Sequence, residues 1–188
     1  MAVNEKKRGR PTGKQSQLSA ESILETAKCL MKNDGKIPSV RSLATQLNVD
    51  PMAIYHYFNN KNKLLEALTT SLVKAIYQPL VSTDWQSELK CLCVSYIELL
   101  REYNGLLQTI LSMKLHGPAH VFTERYQIIV KPLGLHEQVE KDGLDLLADY
   151  LHGLAFSNSC CHDKSLIKNE MMDGPLALIF SSLKSSRT

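Results

Sequence analysis

No stretch of this chain is apolar for long enough to cross a bilayer, which takes roughly 20 consecutive apolar residues. No signal-peptide pattern opens it, so a cytoplasmic location with no membrane role is expected. Cysteines are few and odd in number, five in 188 residues. Cys91 and Cys93 would project from different sides of a helix, so no disulfide framework is expected. Catalytic signatures are missing too. There is no glycine-rich phosphate loop, no Gly-x-Ser-x-Gly elbow and no His-Glu-x-x-His helix, so neither an enzyme nor a cofactor is expected. Glu98 and Glu102 lie one helical turn apart, and exposed glutamates at that spacing read as a solvated face. No segment sustains the alternation of a strand, and the chain therefore reads as all-α. With 44% hydrophobic and 22% charged residues it can fill a core of one large or two small domains.

What is present is unevenly charged. Residues 1–63 hold 11 Lys/Arg and 5 Asp/Glu, a net of +6, whereas residues 64–188 hold 11 and 14, a net of −3. A basic N-terminal third is the electrostatic footprint of a nucleic-acid binder; random scatter of charge is the plain alternative.

The stretch from Ser39 to Ala67 gives that charge a shape. Val40, Leu43, Ala44 and Leu47 recur at i, i+3, i+4 and i+7, one face of a helix. Ser39 stands at its N-cap, and Asn48 can take the left-handed conformation that ends it. Asp50 and Pro51 then restart a helix as N-cap and first helical residue. Three residues between two helices is the length of a helix-turn-helix. Ile54, Tyr57 and Phe58 are expected to face inward with Val49, leaving Pro51, Met52, Tyr55 and His56 on the opposite face. That face has no charge at neutral pH, unusual for a surface helix but suited to a groove wall. Asn60 and Lys61 open the next helix, where free backbone N–H groups and a lysine make a phosphate site.

The run Ile54-Tyr-His-Tyr-Phe-Asn-Asn-Lys61, then Lys63-Leu-Leu-Glu-Ala-Leu68, resembles the DNA-binding end of the TetR family of transcriptional regulators. The likeness covers about the first third of the chain. Asn48 stands where the family usually has glycine, and Asp50 where serine is common. The resemblance implies a homodimeric repressor of double-stranded, pseudo-palindromic operator DNA, released by a small-molecule effector held in the C-terminal bundle. It also implies that Arg41 reaches a guanine, with Met52 and His56 reading bases, Ala53 against a thymine methyl, and Ser39, Tyr55 and Lys61 on phosphates.

Three domains are expected: a disordered basic arm over 1–17, the helix-turn-helix unit over 18–66, and a ligand-binding and dimerisation domain over 67–188. The arm carries Lys6, Lys7, Arg8 and Arg10. Arg-Gly-Arg-Pro is the core of a minor-groove arm, while a solvated basic terminus is the simpler reading. Helix 1 is expected over Ala20–Lys32, capped by Ser19 and stopped by Gly35. Helix 4 is expected from Lys61 to about Gln78, terminated by Pro79, as the mechanical link between the two units. Further helices follow from Trp85, over Leu106–Leu115, from Ala119 to about Val130, from about Gln138 to Asn158, and from Gly174-Pro175 onward. Gly153 is expected to let another helix approach closely. The last pair of helices has more apolar surface than a thin bundle can bury, which points to a twofold copy.

Tyr96, Leu100, Met113, His116, Phe122, Tyr126, His152 and Phe156 are candidate pocket residues, against the plainer reading that they are core. Cys160, Cys161 and His162 form a compact soft cluster. No second Cys/His pair has zinc-like spacing, so ordinary loop residues are favoured and no metal site is assigned; a metal- or thiol-responsive regulator of the same fold, and a small helical enzyme carrying a helix-turn-helix, stay as alternatives.

Overall fold

The computed structural model describes residues 18–80, 84–112, 117–160 and 169–186. The arm residues Lys6, Lys7, Arg8 and Arg10, the pocket candidates Met113 and His116, and Cys161 and His162 lie outside the described residues. Among those described, nine α-helices make an all-helical architecture: α1 (Ala20–Asp34), α2 (Val40–Leu47), α3 (Pro51–Tyr55), α4 (Lys61–Lys74), α5 (Trp85–Glu102), α6 (Leu106–Ser112), α7 (Gly117–Val130), α8 (Glu137–Cys160) and α9 (Asp173–Ser185). A head of α1–α3 sits on α4, and α4 packs in turn on α5, α6 and α7.

Capping chemistry sets the head. Ser19 and Ser22 form a reciprocal capping box at the start of α1, which runs two residues past the expected Lys32 to a left-handed Gly35. Ile23, Ala27 and Met31 are fully buried from α1, where they meet Leu43, Ala44 and Ile54 in one core.

Gly117, two residues before the expected Ala119, is already helical in α7. A Cβ on Gly117 would stand 2.7 Å from Thr70 Oγ1, so the missing side chain lets α7 lie against α4 here. Helix α4 ends at Lys74, short of Pro79. The guanidinium of Arg125, on α7, occupies the chain at this end. Its Nη1 donates to the Ile76 carbonyl at 2.7 Å and the Tyr77 carbonyl at 3.2 Å, and its Nη2 to the Lys74 carbonyl at 2.7 Å. Terminal carbonyls of a helix need partners, and Arg125 supplies them before proline is reached. Burial pulls its pKa down from the ordinary arginine value.

In the body, α5 is flanked by α7 and α8, and α9 lies along α8. Trp85 meets Phe180 edge-on at 5.3 Å, tying the start of α5 to α9. Within the single chain a close helix approach falls at Gly143 rather than at Gly153. A Cβ on Gly143 would lie 2.7 Å from both Leu183 Cδ2 and Tyr126 Oη, whereas Gly153 has nothing within 4 Å.

Candidate nucleic-acid interface and body cavity

The turn between α2 and α3 is built by local side chains. Ser39 Oγ accepts from the Ser42 amide at 3.0 Å. Asn48 adopts φ 54, ψ 47 and is the one non-glycine residue with positive φ among those described; asparagine tolerates this region. Asp50 Oδ1 accepts from the Met52 amide at 2.7 Å, so the carboxylate that stands where serine is common is occupied as a cap. Asn60 Oδ1 accepts from the Lys63 amide at 2.9 Å, fixing the start of α4.

The face of α3 stands as expected, with one exception. Ile54 and Phe58 are buried, and Met52 (63% exposed), Tyr55 (36%) and His56 lie on the open side, with Pro51 and Ala53 half-buried. Tyr57, expected inward, is 45% exposed. Its hydroxyl donates to the Leu18 carbonyl at 2.6 Å, a partner 39 residues away. That bond holds the residue before the α1 cap against the end of α3.

Ser39, Arg41 and Lys61 are exposed. Lys63 is paired with Glu66 at 2.9 Å, whereas Arg41 and Lys61 have no acidic partner among the described residues. Arg41 borders a shallow surface groove with Thr45, Asn48, Val49, Asp50 and Pro51. Two unneutralised cations beside an uncharged aromatic face can hold phosphates while base edges are read by short polar and apolar groups.

The pocket candidates divide. Tyr96, Phe122 and His152 form one packed group: the Tyr96 and Phe122 rings are 5.0 Å apart, and Tyr96 Oη lies 3.0 Å from His152 Nε2. Burial pushes the Tyr96 hydroxyl up to about 12, so it stays protonated, and pulls the His152 pKa down against the opposing pull of Asp149. Tyr126 is fully buried and donates to the Glu140 carbonyl at 3.2 Å. Phe156 is placed on the outer side of α8, 59% exposed. It does not line the interior, because the inward positions of that stretch are taken by Leu151, Ala155 and Asn158. Leu100 does line a cavity of about 560 Å³, together with Gly35, Arg101, Asn104, Gln108, Ala155, Asn158 and Ser159. Apart from Leu100, sequence reasoning missed these residues, since polar positions at the ends of amphipathic helices look solvated. Cys160 is exposed at the end of α8, and among the described residues no three His, Cys, Asp or Glu side chains gather as a metal site.

The short α3 with its open face follows α2 across a three-residue turn, in a helical head carried on an all-helical body. Residues 23–68 match the family described as "Bacterial regulatory proteins, tetR family". No curated protein matches this chain. Among solved structures, ActR of Streptomyces coelicolor in complex with actinorhodin superposes with a TM-score of 0.77 at 18% identity, over 89% of this chain and 96% of that one. BioQ of Mycobacterium smegmatis gives 0.73 at 18%, over 90% and 99%, and BioQ has also been solved with its double-stranded DNA operator. A TetR variant from Acinetobacter baumannii AYE in complex with minocycline gives 0.75 at 19%, over 92% and 99%. At these identities the likeness is one of fold. No helix among the described residues is long and apolar enough to cross a membrane.

Proposed function

We propose that this chain is a cytoplasmic, homodimeric repressor that occupies a pseudo-palindromic operator and leaves it when a small-molecule effector enters the helical body. The observation that carries the reading is the open face of α3, with Met52, Tyr55 and His56 outward and the unpaired Arg41 and Lys61 beside it. Arg41 reads a guanine, whose O6 and N7 suit a guanidinium. Met52 and His56 read neighbouring edges, Ala53 and Pro51 pack on the groove wall, and Ser39, Tyr55 and Lys61 hold phosphates. Tyr57 supports a part for the basic arm: it holds Leu18 at the end of the recognition helix, so Lys6, Lys7, Arg8 and Arg10 follow from a point beside the DNA and suit an A·T minor groove.

The dimer is supported by apolar and small residues left open on the outer sides of α8 and α9. Leu146, Gly153, Phe156 and Cys160 follow one stripe of α8, and Met171, Gly174 and Leu178 one side of the α9 segment. A second copy would cover both in a four-helix contact. The effector acts through α4, the link between head and body. Arg125 grips its C-terminal end and Gly117 admits α7 beside its middle, so displacement of α7 moves α4 and with it the spacing of the two recognition helices. A tenfold change in operator occupancy needs only about 1.4 kcal/mol of differential affinity between the two dimer states. The test is recovery of bound duplexes from a random pool, then gel shifts of the selected DNA with and without a metabolite panel. A selected inverted repeat, released by at least one metabolite, is expected. Binding with no sequence preference contradicts the reading.

A further inference from the structure

The cavity beside Leu100 is bordered by a cation, Arg101, that has no acidic partner among the described residues. Arg101 Nη1 donates to Asn169 Oδ1 at 3.1 Å. With the Asn158 amide oriented so that its nitrogen donates to the Leu154 carbonyl at 3.0 Å, its oxygen accepts from Arg101 Nε at 3.3 Å. The remaining nitrogen, Nη2, is buried and has no partner. Among the described residues no carboxylate touches the guanidinium; Glu98 is reached only through the Asn169 amide, at 3.0 Å. A buried donor without an acceptor is costly, and a guanidinium is a permanent cation whose fork matches a carboxylate. Around it the lining mixes amides and a hydroxyl (Asn104, Gln108, Asn158, Ser159) with the apolar Leu100 and Ala155. The volume of about 560 Å³ falls in the range of small-molecule sites.

We propose that this cavity binds an organic acid, whose carboxylate pairs with the Arg101 guanidinium on the cavity wall while its carbon body lies against Leu100 and Ala155. The proposal rests on the effector reading above and names the effector's chemical class. It also gives the site a second route to the DNA-binding head. The cavity wall includes Gly35, the left-handed cap of α1, and a Cβ there would stand 3.4 Å from Asn104 Nδ2. Nearby, Lys32 of α1 pairs with Glu102 of α5 at 2.5 Å. A ligand held by Arg101 therefore presses on the seam between head and body.

The experiment uses the full-length protein, with benzoate, hexanoate and phenylacetate each compared with its neutral amide, and inorganic phosphate as a separate arm. Thermal midpoint and calorimetric affinity are read for the wild type, Arg101→Met and Arg101→Lys. At least one carboxylate should raise the wild-type midpoint while its amide does not. Arg101→Met should bind that acid at least about tenfold more weakly, the loss of one charge-assisted hydrogen bond. Arg101→Lys, which keeps the charge and guards against a folding defect, should retain part of the response. The assignment is overturned if acids and amides act alike, if only phosphate acts, or if wild type and Arg101→Met respond equally, no response from either included. The same acid is then added to the selected DNA complex. Acid binding through Arg101 that leaves DNA bound upholds the anion site and refutes release by effector. Release by a neutral compound, undiminished in Arg101→Met, upholds release and refutes the anion site.

Discussion

Arg41 and Lys61 are both exposed cations without acidic partners among the described residues, yet they are assigned different work, and mutation separates the two. Arg41→Ala should cost about 1–3 kcal/mol on the selected operator and relax preference at one base pair per half-site, with little change on random DNA. Equal loss on both would remove its reading role. Lys61→Ala should weaken all duplexes alike and lower the slope of log affinity against log salt by about one, which a salt titration checks. His152 carries a pH prediction. Burial lowers its pKa, so the unfolded chain binds more protons between the ordinary histidine value and the lowered one, and stability falls as pH drops through that window. Thermal midpoints between pH 7 and 5 should fall more for the wild type than for His152→Gln. At this scale the caps were legible: Ser19, Ser39, Asn48 and Asp50 act on amides or dihedrals within a few residues. Tyr57 was not, because its exposed position depends on the Leu18 carbonyl far along the chain.

The helices themselves were readable from the spacing of their apolar residues, but their ends were not always. Where α4 stops is decided by Arg125, 51 residues beyond Lys74, and no local pattern announces it. The available signal was weak: one cation among Val121, Phe122, Tyr126 and Ile129, all buried on α7. Arg125→Ala should leave carbonyls at the end of α4 without partners and destabilise the protein by at least about 1–3 kcal/mol. Hydrogen exchange of the Leu72–Tyr77 amides should quicken more than that of α8. Unchanged exchange there would mean the guanidinium does not hold the helix end. Gly143→Ala tests the crossing of α7, α8 and α9. The added methyl meets Leu183 and Tyr126 at 2.7 Å, and overpacking of this kind costs about 1–3 kcal/mol, read as a lower denaturant midpoint with an unchanged slope. Gly153→Ala, facing open space in the single chain, should stabilise the folded monomer by about 0.5–1 kcal/mol through helix propensity and weaken the association of two copies.

For the molecule as a whole, the sequence carried the all-helical class and the basic head, because charge and periodicity are summed over many residues. It did not carry the body cavity, whose walls come from α5, α6, α8 and the cap of α1 and exist only once those elements meet. The proposed twofold assembly rests on side chains such as Leu178, 75% exposed on α9. Leu178→Glu should give a folded monomer by sedimentation, with operator affinity reduced far more than affinity for a single half-site. The central claim is that two copies of α3 are offered to one face of a duplex. Hydroxyl-radical footprinting of the selected operator tests it most directly. Two protected half-sites related by a dyad, with centres about 34–36 Å apart along the DNA, are predicted, with protection lost in a variant that combines Tyr55→Ala and His56→Ala. A single protected patch, or a footprint that survives those substitutions, would contradict it.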